Sequence, residues 1–577
     1  VGGPRDRDER SIGKSAPVSW LSIQQALGEI IVMEAKSALS RPLSHLLMHS
    51  AVEQIGPLGP WYIALERDDW LPAVQSRWNV ARVDDFLSQV LAEQPRSLGR
   101  LLLESVLPPA AREAAALGQP SPSAEPARSA FSFWCWEPNR WLVTRRTDLA
   151  DWAALRRSVE GFVIERLPDD FPPFCGGAAG LLAYDWCRAI ERVPPPARDD
   201  FQVPALAMGI YDHALAVDHA TGRLYLIANG FPHQDPGRRG TAARSRLQDM
   251  IARLTTATAI LHEPASVTRG ASPLEFGNYV PLEFAAADVP SALAADLLTG
   301  TPRGQFLESL ERARRYLRAG DIFQVNLAQH LLAPLRYSPT EFYARARRYN
   351  AAPFAGYLDL GNHQLVSVSP ERLVRVRGLH VETRPIKGTR RLTGDQAADA
   401  VSGQQLRSSP KDCAENVMIV DLLRNDLSRV CSPASLRVER LCGLEAYRHV
   451  QHLVSVVTGD LAPGRSAWDL LPAVFPGGSI SGAPKVRALE IINELEPLAR
   501  GAYCGSLGYI GFPDSNGHAS ADWNILIRTA TLCGNGCQIP VGGGIVLDSD
   551  PVAEYRETLD KARGLLLAAA PPWEDQR

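Results

Sequence analysis

The chain lacks a surplus of positive charge. Its 61 basic residues are outnumbered by 64 acidic ones, a formal net charge of −3 over 577 residues, so it has no electrostatic footprint for nucleic acid or an anionic membrane surface. It lacks long apolar runs as well: nothing approaches the ~18 consecutive apolar residues of a membrane span. The N-terminal VGGPRDRDERSIGKS is polar with no apolar signal core behind it. Cysteines number nine, at 135, 175, 187, 413, 431, 442, 504, 533 and 537. An odd, scattered set argues against a disulfide framework and for a reducing, cytoplasmic setting. The tightest pair, Cys533 and Cys537 in CGNGCQ, has no second ligand pair at zinc spacing and reads as a hairpin turn. No fixed-period repeat is present. What remains, 45% hydrophobic and 22% charged residues, is globular material, long enough for more than one domain, and its partner is expected to be a small molecule.

Residues 119–130, QPSPSAEPARSA, are rich in Pro, Ser and Ala and read as a linker. Ahead of it, residues 1–118 carry the helical patterns SWLSIQQALGEIIVMEAKSAL and VDDFLSQVLAEQ but no chemical motif, and read as an N-terminal extension of unknown role. Residues 131–290 are strand-rich: FSFWCWEP, RWLVTRR, FCGGAAGLLAYDW and ALAMGIYDHALAVDHATGRLYLIAN. Residues 300–570 open on a helix, RGQFLESLERARRYLRAG, and a strand, DIFQVNLAQHLLA. In that strand Ile322, Gln324 and Asn326 alternate with Phe323, Val325 and Leu327, so one set is expected to face a core and the other not. Strands HQLVSVSP, RLVRVRG and LHVETRPI follow, then a helix, DCAENVMIVDLLRNDLSRV, and a final helix, DPVAEYRETLDKARGLLLAAA. Clusters of antiparallel-looking strands between long helices predict an α+β fold and not a doubly wound sheet.

Three stretches carry candidate chemistry. FPGGSISGAPKVRALEII, 475–492, invites a phosphate-loop reading, but Gly482 is followed by Ala483 and Pro484 where that loop needs Lys and Ser or Thr. Pro484 suits a first helical turn, and the amides around it suit an anion such as a carboxylate. VGGGIV, 541–546, places three glycines in a strand, which signals a close backbone approach. Carboxylates form the third signal. Glu554, Glu557 and Lys561 project from one face of the last helix, and Asp412 and Glu415 share a face of the earlier one, where Val417, Met418, Val420 and Leu422 are expected to pack. Two readings stand at this level: a surface ion pair of Glu557 with Lys561 at i+4, or one glutamate from each helix facing a common pocket and suiting Mg²⁺. Lys387, between Pro and Gly in ETRPIKGTRR, reads by itself as a solvated turn lysine.

Taken in order, GDIFQVNLAQ, SPERL, RPIKGT, AENVMIVDLLRND, HLVS, FPGGSISGAPKVRALEIIN, CGSLGYI, IRT, GGGIV and AEYRETLDKA resemble the chorismate-utilising enzymes, the family of anthranilate synthase component I, aminodeoxychorismate synthase component I and isochorismate synthase. The resemblance runs from about residue 130 to the C-terminus and is strongest over 303–565. It implies an anthranilate synthase component I-like fold, with large antiparallel β-sheets packed as a sandwich and helices outside. It also implies Mg²⁺ held by Glu415 and Glu557 against one carboxylate of chorismate, the other carboxylate being gripped by Tyr509, Arg528 and the amides of Gly542, Gly543 and Gly544. Gly478, Ser479 and the loop to Lys485 would form the pocket wall, Lys561 would lie beside the substrate, and His452 would be the active-site histidine. Glu371 would be the general acid that protonates the leaving hydroxyl. Gln324 stands where members that add water carry a lysine, and so resembles the members that add ammonia. PIKGT resembles the aminodeoxychorismate branch, where anthranilate synthases typically read PIAGT, and makes Lys387 the implied nucleophile, which must be neutral to act.

The chain carries no glutamine amidotransferase signature of its own, since Cys175 in PFCGGAAG lacks the downstream histidine context, and no lyase domain for making 4-aminobenzoate. Ammonia is therefore expected from a separate amidotransferase subunit, component II, or from solution. An anthranilate synthase is the nearest alternative. A non-catalytic chorismate-binding relative is the other, and the presence of Glu371, Glu415, Glu557 and His452 stands against it. Residues 1–118 match nothing in the family and part of the first strands is expected to be missing before FSFWCWEP. LLES at 102–105 reads as a chance match, and APFAGY stands in place of an SPYMFY-like run, so tryptophan inhibition is not expected. With Val1 as its first residue, the extension is expected to stem from an upstream start or a shifted reading frame.

Overall fold

The computed structural model describes residues 131–256 and 278–571, apart from 285–288, 351 and 447–449, together with 46, 50–67, 70 and 98–104. The helical patterns read over 19–39 and 83–94 and the linker at 119–130 lie outside these. Among the described residues no helix is long and apolar enough to cross a membrane.

The β-branched, aromatic and glycine-rich runs pair into two antiparallel sheets, one of 14 strands and one of 10. Gln324–Pro334, Phe354–Asp359, His363–Ser369, Thr529–Cys533 and Gly536–Ile545 belong to the larger. Arg372–Arg377, His380–Arg384, Ile386–Arg391, Val450–Asp460, Ser506–Gly511 and Ala521–Asn524 belong to the smaller. Aromatic residues join the two layers: Phe133 of the larger sheet meets Tyr509 of the smaller edge-on at 5.7 Å. Helices Arg303–Ala319, Pro410–Ser428, Lys485–Leu495 and Pro551–Ala569 flank the sheets. Their ends follow local chemistry. Gly320 closes the first with φ 81°, a left-handed conformation that glycine adopts without a Cβ clash. The Ser409 side chain accepts from Asp412 N–H and the Asp550 side chain from Ala553 N–H, each with a proline behind it in the first turn. Such caps contribute about 1 kcal/mol each. Cys533 and Cys537 sit on the two arms of a hairpin, Cys533 opposite Gly536, as CGNGCQ predicts.

Three expectations are revised. All eleven residues of Gln324–Pro334 are buried, not one alternate set, because helices Lys485–Leu495 and Pro551–Ala569 pack on the strand and its other side turns into the interior. Residues 1–118 are not wholly an appendage. Leu101–Glu104 is a strand of the larger sheet, with Leu102 opposite both Trp134 and Tyr357, and Trp61–Leu65 pairs with Leu224–Ala228. These supply strands ahead of FSFWCWEP, and LLES begins as a built strand, not a chance string: Glu104 is buried against Arg347 and Tyr343. Four residues with a terminal glutamate carry no period-2 signal, hence the misreading. Finally, Pro410–Ser428 buries Asn416, Ile419, Val420, Leu423, Asp426 and Leu427, while Val417 is exposed.

Candidate active site

Glu371 sits where the chain passes from the larger sheet, ending at Ser369, to the smaller, beginning at Arg372. The residue is 4% exposed. Burial pushes its pKa up to about 7, while the Ser479 hydroxyl, the Lys387 ammonium and the Ile386 N–H act against that rise. Lys387 lies on the edge strand Ile386–Arg391, opposite Leu453, and its Nζ donates to the Ser479 carbonyl at 3.4 Å. Burial lowers its pKa, Glu415 and Glu371 oppose the shift, and Lys561 adds to it. After a register shift, Thr389 stands opposite His452, its Oγ1 2.9 Å from the imidazole Nδ1. Burial, helped by Arg528, lowers His452 to about 3 and keeps the ring neutral.

The glycine strand closes the site from the other sheet. Gly542, Gly543 and Gly544 lie opposite Ala328, Leu327 and Asn326, and on the far edge pairing to Thr529–Cys533 ends at Gln538. A Cβ on Gly544 would lie 2.3 Å from the Gln324 amide nitrogen and 3.4 Å from Lys387 Nζ, the close approach that three glycines in a strand signal. Gln324 is fully buried, yet neither of its amide atoms has a hydrogen-bond partner among the described residues. Arg528 occupies the left-handed region, φ 49°, and burial holds its guanidinium below the ordinary range. Among the described residues its side chain makes no hydrogen bond or ion pair. A buried amide and an enclosed guanidinium left without protein partners are groups that a polar, anionic ligand satisfies.

Carboxylates from two helices face this corner. Glu415 is raised by burial and by Glu557 and Asp412, against Lys387 and Lys411. Glu554 is raised by burial and by Glu557, while the Ser549 hydroxyl, 2.6 Å away, lowers it. Burial would raise Glu557 too, but Lys561, Lys411 and Lys387 outweigh it and hold the group below its ordinary value. The Glu557–Lys561 pair predicted from spacing is present at 2.8 Å with Glu557 55% exposed, a geometry that contributes little to stability. Lys561 also donates to the Gly542 carbonyl at 3.0 Å, so the pair is tied to the glycine strand. Two glutamates on separate helices, within electrostatic reach of each other and one of them open to solvent, fit a hard divalent ion that keeps waters or takes substrate oxygens. They are not a complete protein shell: no group of three ligands stands together among the described residues.

Two residues read as site members lie elsewhere. Tyr509 packs between the sheets, 4.7 Å from Phe174 and 5.7 Å from Phe133, in an apolar core cluster with Leu101, Phe131 and Leu507. Alternation along Ser506–Gly511 sends its ring to that core. Lys485 does not line the pocket either: buried, it donates to Asp426 at 2.6 Å and to the Val474 carbonyl at 3.2 Å. It anchors the loop that carries Gly478 and Ser479. Gly478 lets that loop approach the Pro410–Ser428 helix, since a Cβ there would meet Leu422 at 2.5 Å. The sequence reading passed over Thr389, Asp426, Lys411 and Asn326, whose Nδ2 donates to the Ile480 carbonyl at 3.1 Å. Thr389, two residues beyond Lys387, had a positional signal.

Comparison with known proteins places this geometry. A family model described as chorismate binding enzyme matches residues 129–567. The chain belongs to the chorismate-binding enzyme family. It is 41% identical over 399 residues to aminodeoxychorismate synthase component 1 of Klebsiella aerogenes, covering 69% of this chain and 78% of that one. It is 40% identical over 400 residues to anthranilate synthase component 1 of Streptomyces coelicolor, covering 69% and 73%. Among solved structures, anthranilate synthase component I of Streptococcus pneumoniae superposes with a TM-score of 0.61 at 29% identity over 77% of this chain and 93% of that one. The menaquinone-specific isochorismate synthase of Escherichia coli, at 19% identity and a TM-score of 0.59 over 92% and 100%, shares the fold. The chain is thus a chorismate-utilising enzyme with the anthranilate synthase component I fold.

Proposed function

We propose that this enzyme aminates chorismate at C4, as the component I of an aminodeoxychorismate synthase, and serves 4-aminobenzoate and folate synthesis. The observation that carries the reading is the pairing, in one site, of an amine of lowered pKa with a carboxyl held near 7, Lys387 and Glu371. Neutral Lys387 Nζ attacks C2 of chorismate. The ring double bonds shift, and the C4–O bond breaks as protonated Glu371 gives its proton to the departing hydroxyl, which leaves as water. Ammonia then forms the C4–N bond, the double bonds shift back, and the C2–Nζ bond breaks to return the lysine. Gln324, a buried amide with no partner among the described residues, stands where ammonia is oriented. Arg528 takes a substrate carboxylate through its fork, and neutral His452, held by Thr389, borders the ring. Glu415 and Glu557 would hold Mg²⁺, which supplies charge neutralisation for the second carboxylate. Ammonia comes from a glutamine amidotransferase subunit.

An anthranilate synthase is the second reading, favoured by the 40% identity to the Streptomyces coelicolor enzyme. One experiment separates them: the purified chain with chorismate, Mg²⁺ and ammonium, with and without aminodeoxychorismate lyase, products identified by mass and fluorescence. 4-Aminobenzoate formed only with the lyase supports the proposal; anthranilate formed without it refutes it.

A further inference from the structure

The strand Arg372–Arg377 carries three arginines, Arg372, Arg375 and Arg377. Asp522 and Glu382 answer two of them. Arg372 pairs with Asp522 at 3.0 Å and Glu382 at 3.3 Å, and Arg375 pairs with the same Glu382 at 3.1 Å. Arg377 makes no hydrogen bond or ion pair among the described residues. Arg377 is thus an enclosed charge without an ion-pair partner among the described residues, and such a charge is costly. Burial, with Arg375 and Arg372 adding and Tyr509 and Asp522 opposing, holds the Arg377 guanidinium below its ordinary range.

Arg377 opens onto a cavity of about 810 Å³ between the 164–176 segment, the Arg377–His380 turn and the 511–520 loop. Ile164, Leu167, Phe171, Leu379 and Phe512 give it apolar walls. The carboxylates around it, Asp514 buried, Glu165 half-buried and Asp460 exposed, have partners of their own. Glu165 accepts from Leu58 N–H at 3.2 Å, Asp514 accepts from the N–H groups of Asn516 and His518, and Asp460 pairs with His380 at 3.2 Å. Arg166 and Asp169 are exposed at the rim, one of each sign. None of them answers Arg377.

The geometry points to a binding site for a small organic monocarboxylate with an apolar body, its carboxylate held by the fork of Arg377. One guanidinium fork takes one carboxylate, and with Glu165, Asp460 and Asp514 also on the lining a monoanion is repelled less than a dianionic phosphate; the walls call for an apolar body. The site is separate from the reacting groups. Glu371 lies just before the other end of the same strand, roughly 20 Å away at ~3.3 Å per residue, so a ligand here does not compete with chorismate.

The test is calorimetric titration of the full chain with 3-phenylpropionate, its neutral amide and inorganic phosphate, with and without saturating chorismate and in the absence of ammonia. Expected is saturable binding of the carboxylate that chorismate leaves unchanged, at least tenfold weaker binding of the amide, and none of phosphate. Arg377→Gln weakens carboxylate binding at least tenfold. Arg377→Lys keeps the charge, loses the fork and falls between; it serves as the test should the glutamine variant fail to fold. Absence of carboxylate binding, affinity unchanged in the variants, displacement by chorismate or a preference for phosphate would each overturn the proposal.

Discussion

Gly544→Ala probes how tightly the two sheets are fitted together at the site. The new Cβ would stand 2.3 Å from the Gln324 amide nitrogen and 3.4 Å from Lys387 Nζ. The amide must therefore retreat by about 1 Å to reach ordinary contact. Gln324 is fully buried, so it retreats into packed neighbours, and overpacking of this kind costs about 1–3 kcal/mol. A shift of ~1 Å in a group that orients a reactant costs roughly 100-fold in rate. Steady-state amination kinetics with saturating Mg²⁺ should show kcat/KM down by that order, and thermal unfolding should show the lost stability. Shortening the colliding side chain in Gln324→Ala/Gly544→Ala should restore the stability and leave the rate low, because the orienting amide is gone. Wild-type kcat/KM in the single variant would refute the close approach of Gly544 and Gln324.

Glu371, raised from 4.5 to about 7, favours folding when protonated, and that contribution is lost as pH rises from 4.5 through 7. Amination should fall about tenfold per pH unit above 7, where the acid is spent, and Glu371→Gln, though inactive, should unfold at higher temperature than the wild type above pH 7. The stability difference is on the order of 3 kcal/mol and should vanish near pH 4.5 in thermal scans. Tyr509→Phe should leave KM for chorismate within twofold, since the ring lies between the sheets; a tenfold rise would return Tyr509 to the site. Asp426→Ala strands the buried Lys485 ammonium and should destabilise by about 3–5 kcal/mol, with Asp426→Ala/Lys485→Met recovering part of it in urea denaturation.

The strands and helices of the catalytic half were legible because their signals are local: strand runs in HQLVSVSP and RLVRVRG, helical patterns in RGQFLESLERARRYLRAG and DPVAEYRETLDKARGLLLAAA. The packing of both sides of Gln324–Pro334 was not, because burial on the second face comes from helices more than 150 residues downstream. Leu101–Glu104 escaped notice for the same reason, a four-residue strand whose partners, Phe131–Cys135 and Phe354–Asp359, lie elsewhere in the chain. Around the site, residue types pointed to chemistry but not to direction. Glu371, Lys387 and Ser479 converge through contacts between separate segments, whereas the parity of one strand decides that Tyr509 points to the core. Lys485 stood only as the end of a pocket-wall loop, and its partner, Asp426, lies 59 residues away, beyond the reach of a local signal.

The central claim is that Lys387 bonds to the substrate. Intact-mass and peptide mass spectrometry of the chain, incubated with chorismate and Mg²⁺ without ammonia and quenched in acid, test it most directly. The account predicts an adduct of chorismate less water on the peptide carrying Lys387, absent in Lys387→Ala and discharged when ammonium is added before the quench. No adduct on the wild-type chain, together with undiminished ammonia-dependent turnover in Lys387→Ala, would contradict it.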